Sequence, residues 1–207
     1  MTYLLLIVLA YLIGAIPTAI IVGKVVRGID IRQHGSGNAG GTNVFRVLGW
    51  QPGVLVMLFD VFKGFVAAEW IPLLAGTNLS IPFAALQLLC GIAAIVGHIW
   101  TVFAGFRGGK GVGTAAGMLL ALHPLAVLIC FAIFLVVLFA TRIVSISSIS
   151  GAVAFPLLLT WFRYLGKPVA DSLYYFSFFA AALIIFTHRS NIRRLLNGTE
   201  NKFGKKK

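Results

Sequence analysis

Long apolar stretches constrain this chain more than any other feature of its sequence. They cover residues 3–23, 53–75, 81–101, 111–141, 143–162 and 169–187. One membrane-spanning helix needs roughly 20 apolar residues. The chain is 59% hydrophobic and only 11% charged, whereas a soluble domain is about 25% charged. The sequence therefore predicts an all-α integral membrane protein, a single polytopic domain over residues 1–207 with a basic tail at 188–207.

The stretch 111–141 is too long for one crossing. As a single helix it would measure about 45 Å, whereas the apolar core of a bilayer is about 30 Å thick. His123-Pro124 lies near its middle, and proline breaks or kinks helices. We therefore expect two short spans here and a bundle of about seven spans in total. About five spans, with residues 142–167 outside, is an alternative that leaves the apolar segment 143–162 in water.

The cationic residues orient the spans, because cytoplasmic loops carry an excess of Lys and Arg. With seven spans and an external N-terminus, the basic loop 24–52, Arg107, Lys110, Arg142 and the tail 188–207 all face the cytoplasm. Only Arg163 and Lys167 lie outside, and Lys63 lies within a span. An even number of spans would place the basic tail outside. The formal net charge of +12 thus follows from topology and does not indicate a nucleic-acid partner.

Residues 105–114, GFRGGKGVGT, form a cationic glycine-rich segment on the predicted cytoplasmic face. Successive N–H groups in such a turn bind anions, and a helix that begins just after it would direct its positive dipole end at the same point. The nucleotide-binding P-loop pattern is not matched, because Ala104 and Gly111 stand where it needs Gly and Ser or Thr. The segment predicts a phosphate site, with Lys110 as its charge. The alternative is a tight turn whose cations only fix topology.

A second glycine-rich turn, GSGNAGGTN at residues 35–43, lies on the same predicted face. Its polar side chains are those of Ser36, Asn38, Thr42 and Asn43. Arg46 follows, and a guanidinium group binds phosphate with two hydrogen bonds. Two such turns on one face indicate two phosphate groups, or the two ends of one ligand.

Several titratable groups lie outside these turns. His188 and Asn191 are three residues apart and would share a face if the last helix continues. His188 is either a base that titrates near neutral pH or a hydrogen-bonding cap. Asp60 and Lys63 lie within the second span, where charges are costly, so they predict a buried ion pair. Cys90 and Cys130 lie in apolar runs, which indicates neither a disulfide nor a metal site.

Four segments together resemble the bacterial acyl-phosphate:glycerol-3-phosphate acyltransferase family. They are DIRQHGSGNAGGTNVFRVLG (30–49), GHIWTVFAGFRGGKGVGT (97–114), TRIVSISSI (141–149) and HRSNIRRLLNGTENK (188–202), with DVFKG (60–64) after the first. They come in the family's order and cover the chain from end to end. The departures are Gly41 and Gly113, where the family commonly has Ala, and Trp100-Thr101, where Phe-Pro is common.

The resemblance implies a seven-helix protein of the bacterial inner (plasma) membrane whose active face is cytoplasmic. It would move an acyl chain from acyl phosphate to the 1-hydroxyl of glycerol 3-phosphate, giving lysophosphatidic acid and phosphate for phospholipid synthesis. It implies no cofactor, metal, acyl-CoA or acyl carrier protein. It also suggests the upstream acyl-phosphate-forming enzyme as a partner.

The resemblance supports an assignment of the site residues. The catalytic set is Ser36, Arg46, Lys110, His188 and Asn191. The substrate-binding set is Gly37, Asn38, Thr42, Asn43, Arg107, Gly108, Gly109, Gly111 and Thr114. The supporting set is Asp60, Lys63, His98 and Glu200, the last as a clamp on the cationic tail.

Within this assignment, Gly108, Gly109 and Gly111 give backbone donors to a phosphate that Lys110 neutralises. Arg46 and Asn191 orient the other ligand. The hydroxyl proton goes to His188 or to a substrate phosphate, and the sequence leaves both open. A transporter of a phosphorylated solute is the rival function, but it would favour internal repeats and polar groups near the bilayer midplane. Here the polar groups cluster at one interface.

Overall fold

In the computed structural model, which describes residues 3–77 and 79–202, the protein consists of α-helices joined by short turns, and no strand occurs in these ranges. The helices are α1 (Tyr3–Ala15), α2 (Thr18–Arg27), α3 (Gly41–Leu48), α4 (Trp50–Glu69), α5 (Phe83–Ile99), α6 (Val112–Leu122), α7 (Pro124–Thr141), α8 (Val144–Tyr164), α9 (Asp171–Thr187) and α10 (Arg189–Leu196). Short 3-10 turns occupy Ile31–Gln33, Pro72–Ala75 and Val102–Ala104. The all-α prediction is confirmed.

Among the described residues, four helical segments are long and apolar enough to cross a membrane: Tyr3–Arg27, which joins α1 to α2, Phe83–Ala104, α7 and α8. The pair α9 and α10, bent by 58°, makes a fifth. The predicted break within 111–141 is confirmed, because α6 ends at Leu122 and α7 begins at Pro124. The His123 imidazole caps α7 by accepting the N–H of Ala126. A total of about seven crossings stays a prediction.

The described residues form two compact units that divide between Leu122 and His123. In the first unit, α1 packs on α5 and α4 packs on both α3 and α6. Leu6, Leu86 and Cys90 are fully buried in the core between α1 and α5. A Cβ at Gly64 would overlap the carbonyl of Thr114, and one at Gly117 would overlap that of Val61. Glycine at these positions therefore lets the backbones of α4 and α6 touch, as small residues do between membrane helices.

In the second unit, α7 packs on α8, and α8 packs on α9. An ion pair between Arg163 and Asp171 joins the end of α8 to the start of α9. At the opposite end, the first turns of α8 bury three hydroxyl groups, those of Ser145, Ser147 and Ser148. The bend between α9 and α10 falls at His188. These polar groups at the start of α8 belong to the part of the second unit that carries the predicted site residues.

Candidate active site

The glycine-rich loop between α5 and α6 folds back onto the last turn of α5. The N–H of Gly108 donates to the carbonyl of Ile99, and that of Gly109 to the carbonyl of His98, both at 3.0 Å. The prediction that these two N–H groups donate to phosphate is therefore wrong in this structure, because backbone carbonyls already occupy them. Gly111 has a φ of +83°, which turns the chain into α6, and its carbonyl accepts the N–H of Ala115 at 2.7 Å.

The first turn of α6 follows the glycine-rich loop directly, beginning at Val112. N–H groups in the first turn of a helix have no acceptor within the helix, and they point towards the positive end of its dipole. Thr114 lies in this turn and is completely buried, and its Oγ1 has no hydrogen-bond partner among the described residues. Lys110, half-buried, lies immediately before the turn. This arrangement favours an anion at the start of α6.

The first glycine-rich turn is organised around Asn43, whose side chain is 1% exposed. Its Oδ1 accepts the N–H of Ser36 at 2.8 Å. Its Nδ2 donates to the carbonyls of Ile31, His34 and Asn38 at 3.0, 2.9 and 3.0 Å. This amide holds the turn together, and its assignment to substrate binding stays a prediction. Positive φ angles at Gly35 and Gly37 flank Ser36, which is half-buried.

Arg46 lies one turn of α3 beyond Asn43 and is exposed, with its Nη1 3.5 Å from Asn43 Oδ1. Thr42 and Asn38 are half-buried near the start of the same helix. Ala39 of this turn lines a small cavity together with Gly108 and Gly109. The structure therefore places the first glycine-rich turn against the second one.

Arg32 fastens the two turns to each other, a role that the sequence did not predict. Its Nη1 donates to the carbonyl of Ala104 at 2.8 Å and that of Arg107 at 3.4 Å. Its Nη2 pairs with the carboxylate of Asp30 at 2.8 Å. The hydrogen bonds from Arg32 lower the pKa of Asp30 to about 2. The Asp-Ile-Arg spacing suggests a local pair, but no sequence signal identifies carbonyl acceptors so far along the chain.

The predicted ion pair in α4 is confirmed and has further partners. Lys63 Nζ lies 2.9 Å from Asp60 Oδ1, and both side chains are buried. The hydroxyl of Thr18 donates to the same oxygen at 2.7 Å, and His98 Nδ1 lies 3.6 Å from it. This cluster lies below the glycine-rich loop, because Lys63 and His98 line the same cavity as Gly108 and Gly109.

In the second unit, Glu200 gathers the predicted tail residues around one carboxylate. Its Oε1 accepts Ser145 Oγ at 3.0 Å and Asn191 Nδ2 at 2.6 Å, and its Oε2 accepts Arg194 Nε at 2.6 Å. Burial raises the pKa of Glu200, but these hydrogen bonds outweigh burial and leave it below the usual value. The prediction that Glu200 clamps the cationic tail is confirmed by its ion pair with Arg194. The sequence did not predict the hydrogen bond from Ser145 to this carboxylate.

His188 is buried at the 58° bend between α9 and α10, so the last helix does not continue straight from His188 to Asn191. Its Nδ1 lies 2.8 Å from the carbonyl of Ile184. A carbonyl oxygen only accepts, so Nδ1 carries the ring proton and Nε2 is the basic nitrogen of the neutral imidazole. The five predicted catalytic residues are thus divided, with Ser36, Arg46 and Lys110 in the first unit and the other two in the second.

No group of three His, Cys, Asp or Glu side chains within residues 3–77 and 79–202 is arranged to hold a metal ion. Arg107 of the predicted substrate-binding set is exposed, and its carbonyl is the one that accepts from Arg32. Gly37 supplies a left-handed turn beside Ser36. Among the predicted site residues, Arg46, Arg107 and Lys110 are cations, which suits an anionic ligand.

Comparison with known proteins gives consistent matches along the whole chain. The family model described as glycerol-3-phosphate acyltransferase matches residues 4–198. A relative of that name from Chlorobium phaeobacteroides (strain DSM 266) is 47% identical over 99% of both chains. One from Chlorobaculum tepidum is 48% identical over 100% of this chain and 99% of its own.

Two crystal structures of PlsY (YgiH), an integral membrane glycerol 3-phosphate acyltransferase, have a similar fold. The glycerol 3-phosphate form has a TM-score of 0.83 and is 39% identical, over 98% of this chain and 96% of its own. The lysophosphatidic acid form has a TM-score of 0.81 and is 38% identical, over 98% and 95%.

Proposed function

The chain belongs to the glycerol-3-phosphate acyltransferase family, and we propose that it transfers a fatty acyl group from acyl phosphate to the 1-hydroxyl of glycerol 3-phosphate. It is an integral membrane protein, like the solved PlsY structures. The products are lysophosphatidic acid and phosphate, used in bacterial phospholipid synthesis. Substrate and lipid product forms of PlsY support the acceptor and the product. The choice of acyl phosphate as donor rests on the sequence motifs.

One observation in the chain itself carries the proposal: a cationic glycine-rich loop ends at the first turn of α6, where the buried hydroxyl of Thr114 has no partner among the described residues. Buried polar atoms are nearly always hydrogen-bonded. A phosphate oxygen would supply the missing acceptor, and the helix N-terminus and Lys110 would stabilise its charge.

The reaction needs little help with its leaving group, because acyl phosphate is a mixed anhydride. The difficulty is to hold two phosphate-bearing anions close together, since their repulsion grows when water is removed. Lys110 and Arg46 offset that repulsion. Catalysis therefore depends on positioning and on charge stabilisation.

In the transfer step, the 1-hydroxyl oxygen of glycerol 3-phosphate forms a bond to the acyl carbonyl carbon. The bond from that carbon to the phosphate oxygen breaks, and phosphate leaves with the electron pair. The hydroxyl proton passes to Nε2 of His188, the nitrogen left basic by the contact between Nδ1 and the Ile184 carbonyl, or to a substrate phosphate. Ser36 and Asn191 orient the acceptor without a covalent intermediate.

We propose that residues 1–207 act as one catalytic domain. Its active face is cytoplasmic and its membrane is the bacterial inner membrane, as the positive-inside rule suggests. An enzyme that forms acyl phosphate is then the upstream partner, since this anhydride hydrolyses readily and benefits from direct delivery.

The test uses purified protein in detergent with glycerol 3-phosphate and one of three donors: acyl phosphate, acyl-CoA or an acylated carrier protein. We expect lysophosphatidic acid when acyl phosphate is the donor, and none when acyl-CoA or the acylated carrier protein is the donor. Lys110→Ala should reduce its formation more than tenfold, since a charged hydrogen bond contributes about 1.5–3 kcal/mol. Arg27→Ala, which removes an exposed cation that donates to the Val47 carbonyl, is the control.

Two results would reject the proposal. Product from acyl-CoA but not from acyl phosphate would reject the donor. No product from any donor, combined with uptake of glycerol 3-phosphate into sealed vesicles, would show a transporter instead.

A further inference from the structure

The carboxylate of Asp60 is held by three different elements of the first unit. Its Oδ1 accepts the Thr18 hydroxyl of α2 at 2.7 Å and lies 2.9 Å from Nζ of Lys63 on its own helix. His98 of α5 faces it at 3.6 Å through Nδ1. A buried carboxylate is costly unless it is paired and hydrogen-bonded. These contacts therefore fix the position of Asp60 and leave it little freedom to reorient.

His98 extends this arrangement to the glycine-rich loop. Its Nδ1 faces Asp60, while a Cβ built on Gly109 would overlap its Nε2. Its backbone carbonyl also accepts the N–H of Gly109 at 3.0 Å. The imidazole therefore lies directly against Gly109, and its orientation determines how closely the loop at Gly109 can approach α5.

Asp60 also contacts the segment that leaves the loop. A Cβ at Gly113, in the first turn of α6, would come 3.0 Å from the Cβ of Asp60. Asp60 therefore touches Gly113 directly and reaches Gly109 through His98. Lys110, which carries the charge of the loop, lies between these two supported positions.

We propose that Asp60 is a positioning residue for acyl transfer: through His98 it sets the Gly108–Gly109 turn, and by direct contact it sets the first turn of α6. The inference rests on the proposed function, in that the loop binds the phosphate of one of the two substrates. Lys63 supports this role by neutralising Asp60, because a carboxylate without a counter-ion near the loop would repel that phosphate. The net effect is a rigid support that adds no negative charge to the site.

The first test compares Asp60→Asn with Glu69→Gln, the matched change of carboxylate to amide at the far end of the same helix, where Glu69 contacts Gln87 at 3.0 Å. Asp60→Asn should raise KM for one of the two phosphate substrates at least fivefold and leave the other within twofold. Glu69→Gln should change neither. If Asp60→Asn lowers only kcat and changes neither KM, Asp60 acts on the folded fraction alone and the proposal is overturned.

Asp60→Asn leaves Lys63 without its ion pair and lowers the stability of the fold, so Thr18→Val provides a milder variant. It removes the 2.7 Å hydrogen bond to Asp60 and keeps both charges. We expect a two- to threefold rise of KM for the same substrate. A rise for the other substrate, or none, would contradict the role of Asp60.

The second test asks whether the imidazole itself sets the loop. Gly109→Ala and Gly108→Ala are each made in the wild-type protein and in His98→Asn, which shortens the side chain. The Cβ at 109 meets the imidazole, whereas the Cβ at 108 meets the backbone carbonyl of His98, which the substitution keeps.

The loss of kcat/KM caused by Gly109→Ala should therefore be at least threefold smaller in the His98→Asn background. Rescue should be partial, because the same Cβ also lies 3.1 Å from the carbonyl of Ala39. The loss caused by Gly108→Ala should be the same in both backgrounds. Equal losses for Gly109→Ala in both backgrounds would overturn the proposal.

A binding measurement separates this inference from the proposed function. The stabilisation of each variant by glycerol 3-phosphate and by inorganic phosphate, followed as a shift in Tm, needs no turnover. If the wild-type protein made no product but Asp60→Asn still weakened this stabilisation at least fivefold in half-saturating concentration, the proposed reaction would be wrong and the positioning role would stand. Unchanged half-saturation in an active enzyme would remove the positioning role alone.

Discussion

The buried hydroxyl of Thr114 leads to a prediction about a single residue. A buried polar atom without a partner costs about 1–3 kcal/mol, and Thr114 Oγ1 has none among the described residues. Thr114→Val keeps the shape and removes that cost. It should raise Tm by about 2–4 °C and lower kcat/KM roughly tenfold or more, because the bond to phosphate is lost.

The matched variant is Thr114→Ser, which keeps the hydroxyl and loses a methyl group. It should retain activity within about threefold and lose stability, since each buried methyl group contributes about 0.8 kcal/mol. Calorimetry and steady-state kinetics on the purified proteins provide both measurements. A Val variant that is stabilised and fully active would show that the hydroxyl does not meet the substrate.

Other residues show where sequence reasoning reaches its limit. The pairing of Asp60 with Lys63 was predicted, because charges within an apolar span must find partners. The structural role of Asn43 was not predicted, because a polar side chain in a glycine-rich turn has the same sequence signature whether it faces a ligand or the loop's own backbone. Only the four hydrogen bonds of its amide distinguish the two.

At the scale of elements, the pair of Asp30 and Arg32 connects two turns whose sequences carry no sign of each other. Arg32 donates from Nη1 to the carbonyls of Ala104 and Arg107, while its Nη2 pairs with the carboxylate of Asp30. The hydrogen bonds from Arg32 lower the pKa of Asp30 from 3.8 to about 2. A carboxyl group with a lowered pKa stabilises the fold above its unfolded pKa and loses that effect as the pH falls through the folded pKa.

Asp30→Asn should therefore lower Tm at pH 6, and the difference from the wild type should shrink as the pH falls from about 4 to about 2. In an Arg32→Gln background the same substitution should have little effect at any pH, because the partner is gone. Thermal unfolding of the four proteins across this range measures the coupling. A difference in Tm that is the same at pH 6 and pH 2 would show that the ionised carboxylate is not what holds Arg32.

The helices themselves were largely predictable, and the reason is chemical. Apolar length and the proline at 124 define the boundary between α6 and α7, since each acts locally along the chain. The bend at His188 was not predicted, because Arg189 to Leu196 continues a helical pattern and nothing in it signals a change of axis. Likewise, the Gly108 and Gly109 N–H groups donate to carbonyls of the last turn of α5. These hydrogen bonds depend on packing between elements, which the spacing of residues along the sequence does not predict.

At the scale of the whole molecule, the orientation in the membrane is the remaining prediction, and it depends on charge. About seven spans place Arg142 on the same side as the basic tail, whereas about five spans place it on the opposite side. Arg142 is exposed at the end of α7, so a cysteine there can react with a thiol reagent. The native Cys90 and Cys130 lie within α5 and α7 and are first replaced by Ala.

In cells whose inner membrane is intact, an impermeant maleimide should label Lys167→Cys directly and should label Arg142→Cys and Asn197→Cys only after detergent is added. These three positions are exposed, so protection from the reagent reports the membrane and not burial within the protein. Direct labelling at 142 but not at 197 would establish the five-span arrangement. Direct labelling at 197 would place the tail outside and reverse the predicted orientation. A donor made in the cytoplasm would then not reach the site.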